Sequence, residues 1–271
     1  PQASSKLDAV TGVDDDVEAE AVDTVDGARI LQYALNPGRE LGLTYGTGIL
    51  PTVITPAALA GQPLSKYDVI VLYDVSSLPD AAMADLETYV RQGRALVIFA
   101  AGKLSPMRFN RSLAAGSKNR EALSPAQLGN DRALKAPVGL AETATTHPVL
   151  AAFRERRQGD LSVIRFVQLR DIRRLGSAAA VMFRDATGKA LAVEKRIAQG
   201  RVVLCSFGLE LTRGNLARTR VFLPMLWRLM DYLTGRLEQQ KENALAALRP
   251  VVLDVSEPQF AFVDELELTP I

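Results

Sequence analysis

The residues with the greatest potential for covalent chemistry in this 271-residue chain are its single cysteine and its single histidine. A thiolate beside an imidazole can attack an amide or an ester, because the imidazole accepts the thiol proton and returns it to the leaving group. Cys205, however, lies in an apolar stretch, where a free cysteine is typically a packed core residue. His147 precedes a proline at a predicted helix start, which favours a capping or turn role. With no Gly-x-Ser-x-Gly motif either, the sequence predicts no catalytic residue.

These two counts also limit metal and redox chemistry. One cysteine cannot close an internal disulfide, and one cysteine with one histidine excludes the usual multi-cysteine and His-rich metal sites. The acidic run within residues 14–23 lacks the glycine and the terminal glutamate of a calcium loop. Such a run is typical of a solvated, flexible segment. We therefore predict neither a metal ion nor another cofactor.

The overall charge narrows the choice of partners. The 32 Lys and Arg residues nearly cancel the 31 Asp and Glu residues, so composition gives no support for nucleic-acid binding. No uncharged apolar stretch reaches the roughly 18 residues that a membrane helix needs. The nearest candidate, residues 221–233, is interrupted by Arg228 and Asp231. We expect partners to be proteins or neighbouring domains, with a membrane reached only through segments outside this chain.

Several polar residues follow predicted strands at their carboxyl ends, which is where open α/β sheets bind ligands. Basic side chains there could meet a carboxylate or a phosphate, although exposed loop residues have the same composition. Asp74 could equally be a helix-entry cap. The candidate ligand-binding residues are Asp74, Ser76, Lys103, Arg108, Asn110, His147, Glu210 and Asn215.

Continuous apolar runs predict the strands that would position these candidates. Residues 67–73, 95–99 and 201–207 have the composition of strands buried on both faces, and the first of them is expected in the middle of the sheet. An amphipathic helix between the first two strands makes a right-handed crossover and implies parallel pairing. Further elements are predicted as strands at 52–55, 161–169, 178–183 and 191–194, and as helices at 26–35, 149–153 and 216–248.

The chain divides into three predicted parts. Residues 1–25 form an acidic flexible segment, and residues 26–234 form one α/β domain. Residues 235–271 are a helical extension followed by a strand, or by the start of a truncated next domain.

Five phrases, in order and spacing, carry a resemblance to a known family. They are Tyr67-Asp68-Val69-Ile70-Val71-Leu72, Leu86-Glu87-Thr88-Tyr89-Val90-Arg91-Gln92-Gly93, Leu96-Val97-Ile98-Phe99, His147-Pro148-Val149-Leu150 and Gly200-Arg201-Val202-Val203-Leu204. Over roughly residues 26–233 they resemble the class I glutamine amidotransferase-like domain of bacterial BatA/von Willebrand factor A-type membrane proteins. The resemblance implies an α/β fold with a mostly parallel central sheet flanked by helices. Its form would be a flavodoxin-like three-layer sandwich with added β-hairpins.

The resemblance also implies a location and a role. It implies an extracytoplasmic, periplasmic domain of a membrane-anchored protein, and the start at Pro1 fits an excised fragment. Enzymes of the fold carry a cysteine at the elbow after the second of these strands, where this chain has Ala100-Ala101-Gly102-Lys103. We expect a noncatalytic interaction domain of a bacterial envelope protein. The alternatives are a sugar- or carboxylate-binding or hydrolytic domain that uses the strand-end loops, and a structural spacer.

Overall fold

The computed structural model describes residues 26–40, 49–116, 121–155 and 158–239. Its strands are β1 (Val69–Tyr73), β2 (Ala95–Phe99), β3 (Ala126–Val138), β4 (Phe166–Leu175), β5 (Ala179–Arg184), β6 (Ala190–Ile197) and β7 (Gly200–Cys205). The main sheet has the order β1-β2-β7-β6-β5. β1, β2 and β7 are mutually parallel, whereas β6 runs antiparallel to both β7 and β5. β3 and β4 form a separate antiparallel pair, which we call the β3–β4 hairpin.

Six α-helices accompany these strands in the described ranges. They are α1 (Gly27–Leu35), α2 (Pro37–Glu40), α3 (Asp80–Arg91), α4 (Pro106–Ser112), α5 (Pro148–Ala151) and α6 (Phe222–Leu233). The α3 crossover shows how the local sequence defines an element. Pro79 precedes the helix, an acidic and a basic residue stand in its first and last turns, and Gly93 at φ 94° turns the chain toward β2.

Apolar side chains fill both faces of the main sheet. Alternate residues of β2 point to opposite sides, so Leu96 packs with α3 and α4 while Val97 packs with α1, α5 and α6. All five residues of β2 are buried, and β7 is buried almost throughout. The result is a three-layer arrangement of helices, sheet and helices, which fixes the carboxyl ends of β1, β2 and β7 side by side.

Three predicted elements are wrong in detail. Residues 52–55 are exposed and form no strand, because β-branched residues gain little without a paired neighbour. β1 is an edge strand of the described sheet and not a central one, and its alternate residues are only partly buried. The last helix begins at Phe222 because residues 216–218 form a separate 3-10 turn, which Thr219 closes by donating to the Leu216 carbonyl.

Other predicted elements are confirmed, and some lie outside the described residues. The helix after Asp26, the α3 crossover, β2, β7 and the β5–β6 hairpin are where the pattern placed them, and β4 lies a few residues later than predicted. The acidic segment at 1–25 and the predicted strand after 250 lie outside the described residues. No helix in the described part of the chain combines the length and apolar character that a membrane span requires.

Candidate functional site at the carboxyl ends of the strands

Hydrogen bonds tie the loop after β1 to the loop after β2. Asp74 has φ 56°, an unusual conformation for a residue with a side chain, and its carboxylate accepts from the backbone N–H groups of Lys103 (2.7 Å) and Leu104 (3.0 Å). Ser76 Oγ accepts from the N–H of Ser105 at 2.8 Å. Burial raises the pKa of Asp74, against the effect of these two N–H donors. Both predicted residues therefore lie at the expected edge, where they hold the second loop in place.

A buried arginine from the β3–β4 hairpin covers the end of β2. The Arg170 guanidinium donates to the carbonyl oxygens of Ala101, Gly102 (3.2 Å) and Gly129 (3.5 Å). Arg170 is 3% exposed and Ala101 is fully buried. A charged side chain is rarely buried to this extent without partners. The backbone that would form a nucleophile elbow is thus bound by an arginine.

A second buried arginine forms an ion pair with two hydrogen bonds at this edge. Arg213, which is 4% exposed, donates through both terminal nitrogens to Asp131, at 2.8 and 2.6 Å. Gln168 donates to the same carboxylate at 2.6 Å. Burial alone would raise the pKa of Asp131, but the hydrogen bonds and positive charge of Arg213 outweigh burial and hold that pKa below its ordinary value. Asp131 is therefore ionised and a weak base at neutral pH.

A third carboxylate completes the arrangement. Glu210 Oε2 lies 4.0 Å from Arg213 Nε, and neither atom has a hydrogen-bond partner among the described residues. Tyr73 Oη accepts from the Leu209 N–H at 2.7 Å. Burial raises the pKa of this phenol, and the charge of Glu210 adds to the effect. Gly208 permits the packing, because a Cβ there would lie 2.0 Å from Glu210 Oε2. We call Asp74, Asp131, Arg170, Glu210 and Arg213 the strand-end cluster.

The other predicted residues are divided between loop anchors and free surface. Asn110 donates to the Leu128 carbonyl and accepts from the Leu128 N–H, at 2.9 and 2.8 Å, so it anchors the start of β3. Asn215 similarly accepts from the Arg165 N–H at 2.7 Å and donates to a carbonyl in the preceding segment. Lys103 and Arg108 are exposed.

His147 and Cys205 lie in different surroundings. His147 caps α5, where its Nδ1 accepts from the Val149 N–H at 3.3 Å, and its ring packs edge-on against Phe183 and Tyr232. Burial lowers the pKa of His147. Cys205 is buried in the apolar core, which raises its pKa to about 12. No contact between the two is present among the described interactions. His147 packs against Tyr232, whose ring contacts Arg201 near the amino-terminal end of β7, so it lies away from the strand-end cluster at the carboxyl ends.

Four polar residues of this edge escaped the sequence interpretation. Asp131, Gln168, Arg170 and Arg213 come from the β3–β4 hairpin and from the loop after β7. The sequence offered one signal for Arg170, namely a charged residue directly after Leu169, at the end of a stretch predicted to be a partly apolar strand. In the described ranges, no group of three or more His, Cys, Asp or Glu side chains could hold a metal ion.

No protein-family model matches the sequence, and no curated protein matches it either. Solved structures are similar at low identity. The cytoplasmic proteins STM3548 and STM1381 of Salmonella typhimurium are 14% and 13% identical, with TM-scores of 0.56 and 0.57. These matches cover 76% and 77% of this chain and 87% of each Salmonella chain. A ThuA-like protein of Parabacteroides merdae is 16% identical, with a TM-score of 0.45, over 76% of this chain and 84% of that one.

The similarity shows the fold. The chain has a class I glutamine amidotransferase-like α/β fold with a mainly parallel five-stranded sheet, as predicted. The predicted location is wrong, because both Salmonella proteins are described as cytoplasmic. The physical reason is that the short apolar phrases behind the resemblance encode buried parallel strands, which any compartment can contain. The extracytoplasmic assignment is therefore withdrawn.

Proposed function

We propose that this chain is a noncatalytic interaction domain built on an amidotransferase-like scaffold. The observation that carries the proposal is the position of Arg170, whose guanidinium binds the Ala101 and Gly102 carbonyls after β2. Enzymes of this fold place their nucleophile in that loop. Here the loop has no thiol or hydroxyl before Ser105, and a buried charged side chain fills the adjoining space.

The remaining reactive groups fit the same proposal. A cysteine nucleophile needs an accessible thiolate, and the burial that raises the pKa of Cys205 disfavours one. His147 spends one ring nitrogen on capping α5. Asp131 is ionised and paired with Arg213, which lowers its pKa, so it cannot serve as an effective general base near pH 7.

The proposed partner is a protein or a neighbouring domain of the same polypeptide. Support comes from the loop and helix after β2, whose backbone binds Asp74 of the strand-end cluster and whose Lys103, Met107 and Arg108 side chains are exposed. Met107 is 70% exposed, and methionine and arginine are enriched in protein interfaces. The relation to BatA/von Willebrand factor A-type proteins stays a prediction.

The test is a search for turnover by the purified chain. Glutamine, a p-nitrophenyl ester and a p-nitrophenyl glycoside should all be hydrolysed no faster than in buffer. Cys205→Ala, His147→Ala and Glu210→Gln are assayed in parallel with an Arg220→Gln control, because Arg220 is an exposed residue outside the cluster. Turnover that survives in the control but disappears in one of the three variants would overturn the proposal and assign the reacting group.

The second candidate is a small-molecule binding domain. A cavity of about 400 Å³ beside the strand-end cluster favours it, and the basic lining of that cavity selects a carboxylate over a neutral sugar.

A further inference from the structure

The cavity lies between β4 and the β5–β6 hairpin, next to the strand-end cluster. Its volume of about 400 Å³ is in the range of small-molecule sites. Arg170 belongs to both the cluster and the cavity lining, and Ser206, the residue after β7, lines the cavity beside it. The cavity therefore opens next to the carboxyl edge of the sheet.

The charges around this cavity are unbalanced. Its basic lining consists of Arg132, Arg170, Arg173, Arg184 and Lys189, against two acidic residues. Both acidic residues are already engaged. Asp171 accepts from Arg132 at 3.0 Å, and Asp185 accepts from two groups of Thr187 and from the Lys189 N–H at 2.6 to 2.9 Å. Arg132 and Asp171 offset each other, and Asp131 and Asp74 act on Arg170. Arg173, Arg184 and Lys189 then stand against Asp185, an excess of positive charge that favours an anion.

Two buried donors in the lining have no partner among the described residues. They are Ser206 Oγ and Arg170 Nε, in residues that are 1% and 3% exposed. Buried polar atoms of this kind are uncommon in folded proteins because each loses its hydrogen bond to water. Both atoms can donate, so the group that would satisfy them is an acceptor.

The backbone that carries the two donors is held in place by hydrogen bonds. The Ser206 N–H donates to the Leu191 carbonyl and the Arg170 N–H donates to the Ser206 carbonyl, each at 2.8 Å. One terminal nitrogen of Arg170 is fixed by the carbonyls after β2. Binding would therefore require little ordering of this backbone or of the Arg170 guanidinium, and preorganisation of this kind favours affinity.

Arg173 lies at the rim of the cavity, in space that Gly129 of β3 leaves open because it has no side chain. A Cβ at Gly129 would lie 2.5 Å from Arg173 Nε and 3.0 Å from Asp171 Cβ. The apolar part of the lining comes from side chains such as Leu169, Ile172 and Val181. The cavity thus combines charged donors with a surface that suits an apolar or ring-shaped body.

We propose that this cavity binds a small organic anion. Its carboxylate or phosphate oxygens accept hydrogen bonds from Ser206 Oγ and Arg170 Nε and lie within the field of Arg173 and Lys189. Its body packs against the apolar lining. The inference rests on the second candidate function and gives that function a site and a ligand class. It is independent of the absence of catalysis, since binding and turnover are measured separately.

The test is isothermal titration calorimetry with four probes: glucose 6-phosphate, benzoate, inorganic phosphate and uncharged glucose. We expect at least one anionic probe to bind, with an affinity that falls as salt rises, and glucose not to bind. Binding confined to the phosphate probes, or to benzoate, supports the site and identifies the preferred head group. Absence of binding by every anion, or equal binding of glucose, would overturn the proposal.

Variants locate the site. Ser206→Ala should raise the Kd of the bound anion about tenfold, while the melting temperature of the free protein stays the same or rises, because no hydrogen bond is lost. Arg173→Gln and Lys189→Gln should each raise the Kd severalfold and flatten its salt dependence. Arg220→Gln, an exposed arginine outside the cavity, is the matched control and should leave the Kd within about twofold. A larger effect at Arg220 than at Ser206 contradicts the assignment.

Discussion

Replacing Asp131 by asparagine should destabilise the fold strongly. The substitution keeps the size of the side chain but removes the charge that accepts two hydrogen bonds from Arg213, at 2.8 and 2.6 Å. Arg213 is 4% exposed, so its charge would remain buried, compensated only in part by Glu210 at 4.0 Å and by the charge of Asp74. Removing one partner of a buried ion pair costs about 3–5 kcal/mol. For a chain of this size, that loss corresponds to a fall in Tm of roughly 10 °C.

The same hairpin supplies a matched control. Asp171 forms an ion pair with Arg132 at 3.0 Å, but about a third of each of these side chains is exposed. Asp171→Asn should therefore cost no more than about 1 kcal/mol. Urea unfolding followed by circular dichroism gives both free energies of unfolding, and an unchanged slope would show that the two variants unfold in the same way.

The pH dependence adds an independent check. The pKa of Asp131 is lower in the folded protein than in the unfolded chain, so its contribution is complete above the unfolded value of about 3.9 and declines as pH falls through the folded value. The stability difference between wild type and Asp131→Asn should therefore shrink below about pH 4. A cost no greater than that of Asp171→Asn, or a difference that persists unchanged in acid, would refute this account of the strand-end cluster.

Two further predictions concern the buried thiol and imidazole. Cys205 is buried and its pKa is raised to about 12, so Ellman's reagent at pH 8 should leave the native protein unmodified. After unfolding in guanidinium, the reagent should label one thiol per chain. Rapid labelling of the native protein would contradict the burial of this thiol. Burial lowers the pKa of His147, so the folded protein binds fewer protons than the unfolded chain and loses stability as pH falls below about 6.5. His147→Asn retains a capping acceptor but no titrating imidazole, so the free energy of unfolding of this variant should vary less between pH 7 and pH 5. A pH profile identical to that of the wild type would show that His147 does not cause the loss of stability.

The sheet was largely predictable because its inner strands follow one local rule. Residues 95–99 and 201–207 are continuous apolar runs, and the helix between the runs at 67–73 and 95–99 indicated their parallel pairing. The outer position of β1 was not predictable in this way. A run that is covered by helices on both faces has the same composition whether one or both of its edges are paired.

The strand-end cluster was only partly predictable, for two different reasons. Asp131 and Arg213 are 82 residues apart in sequence and meet through the β3–β4 hairpin, so no local spacing relates them. Asp74 and Asn110 were found, but their carboxylate and amide groups satisfy backbone donors and acceptors of the loops. The same short polar side chains serve loop structure and ligand binding, and sequence alone does not distinguish the two uses.

Arg170 connects the two proposals through different atoms of one guanidinium. One terminal nitrogen binds the carbonyls after β2, at the place where an amidotransferase-like enzyme would hold its nucleophile, while Nε, beside the basic cavity, has no partner in the described part of the chain. The β3–β4 hairpin that supplies this side chain thus closes one position at the sheet edge and helps to form another alongside it. Replacing Arg170 would disturb both at once. Ser206 contributes a hydroxyl to the cavity and only backbone hydrogen bonds to the sheet, so substitution of Ser206 separates ligand binding from the integrity of the fold.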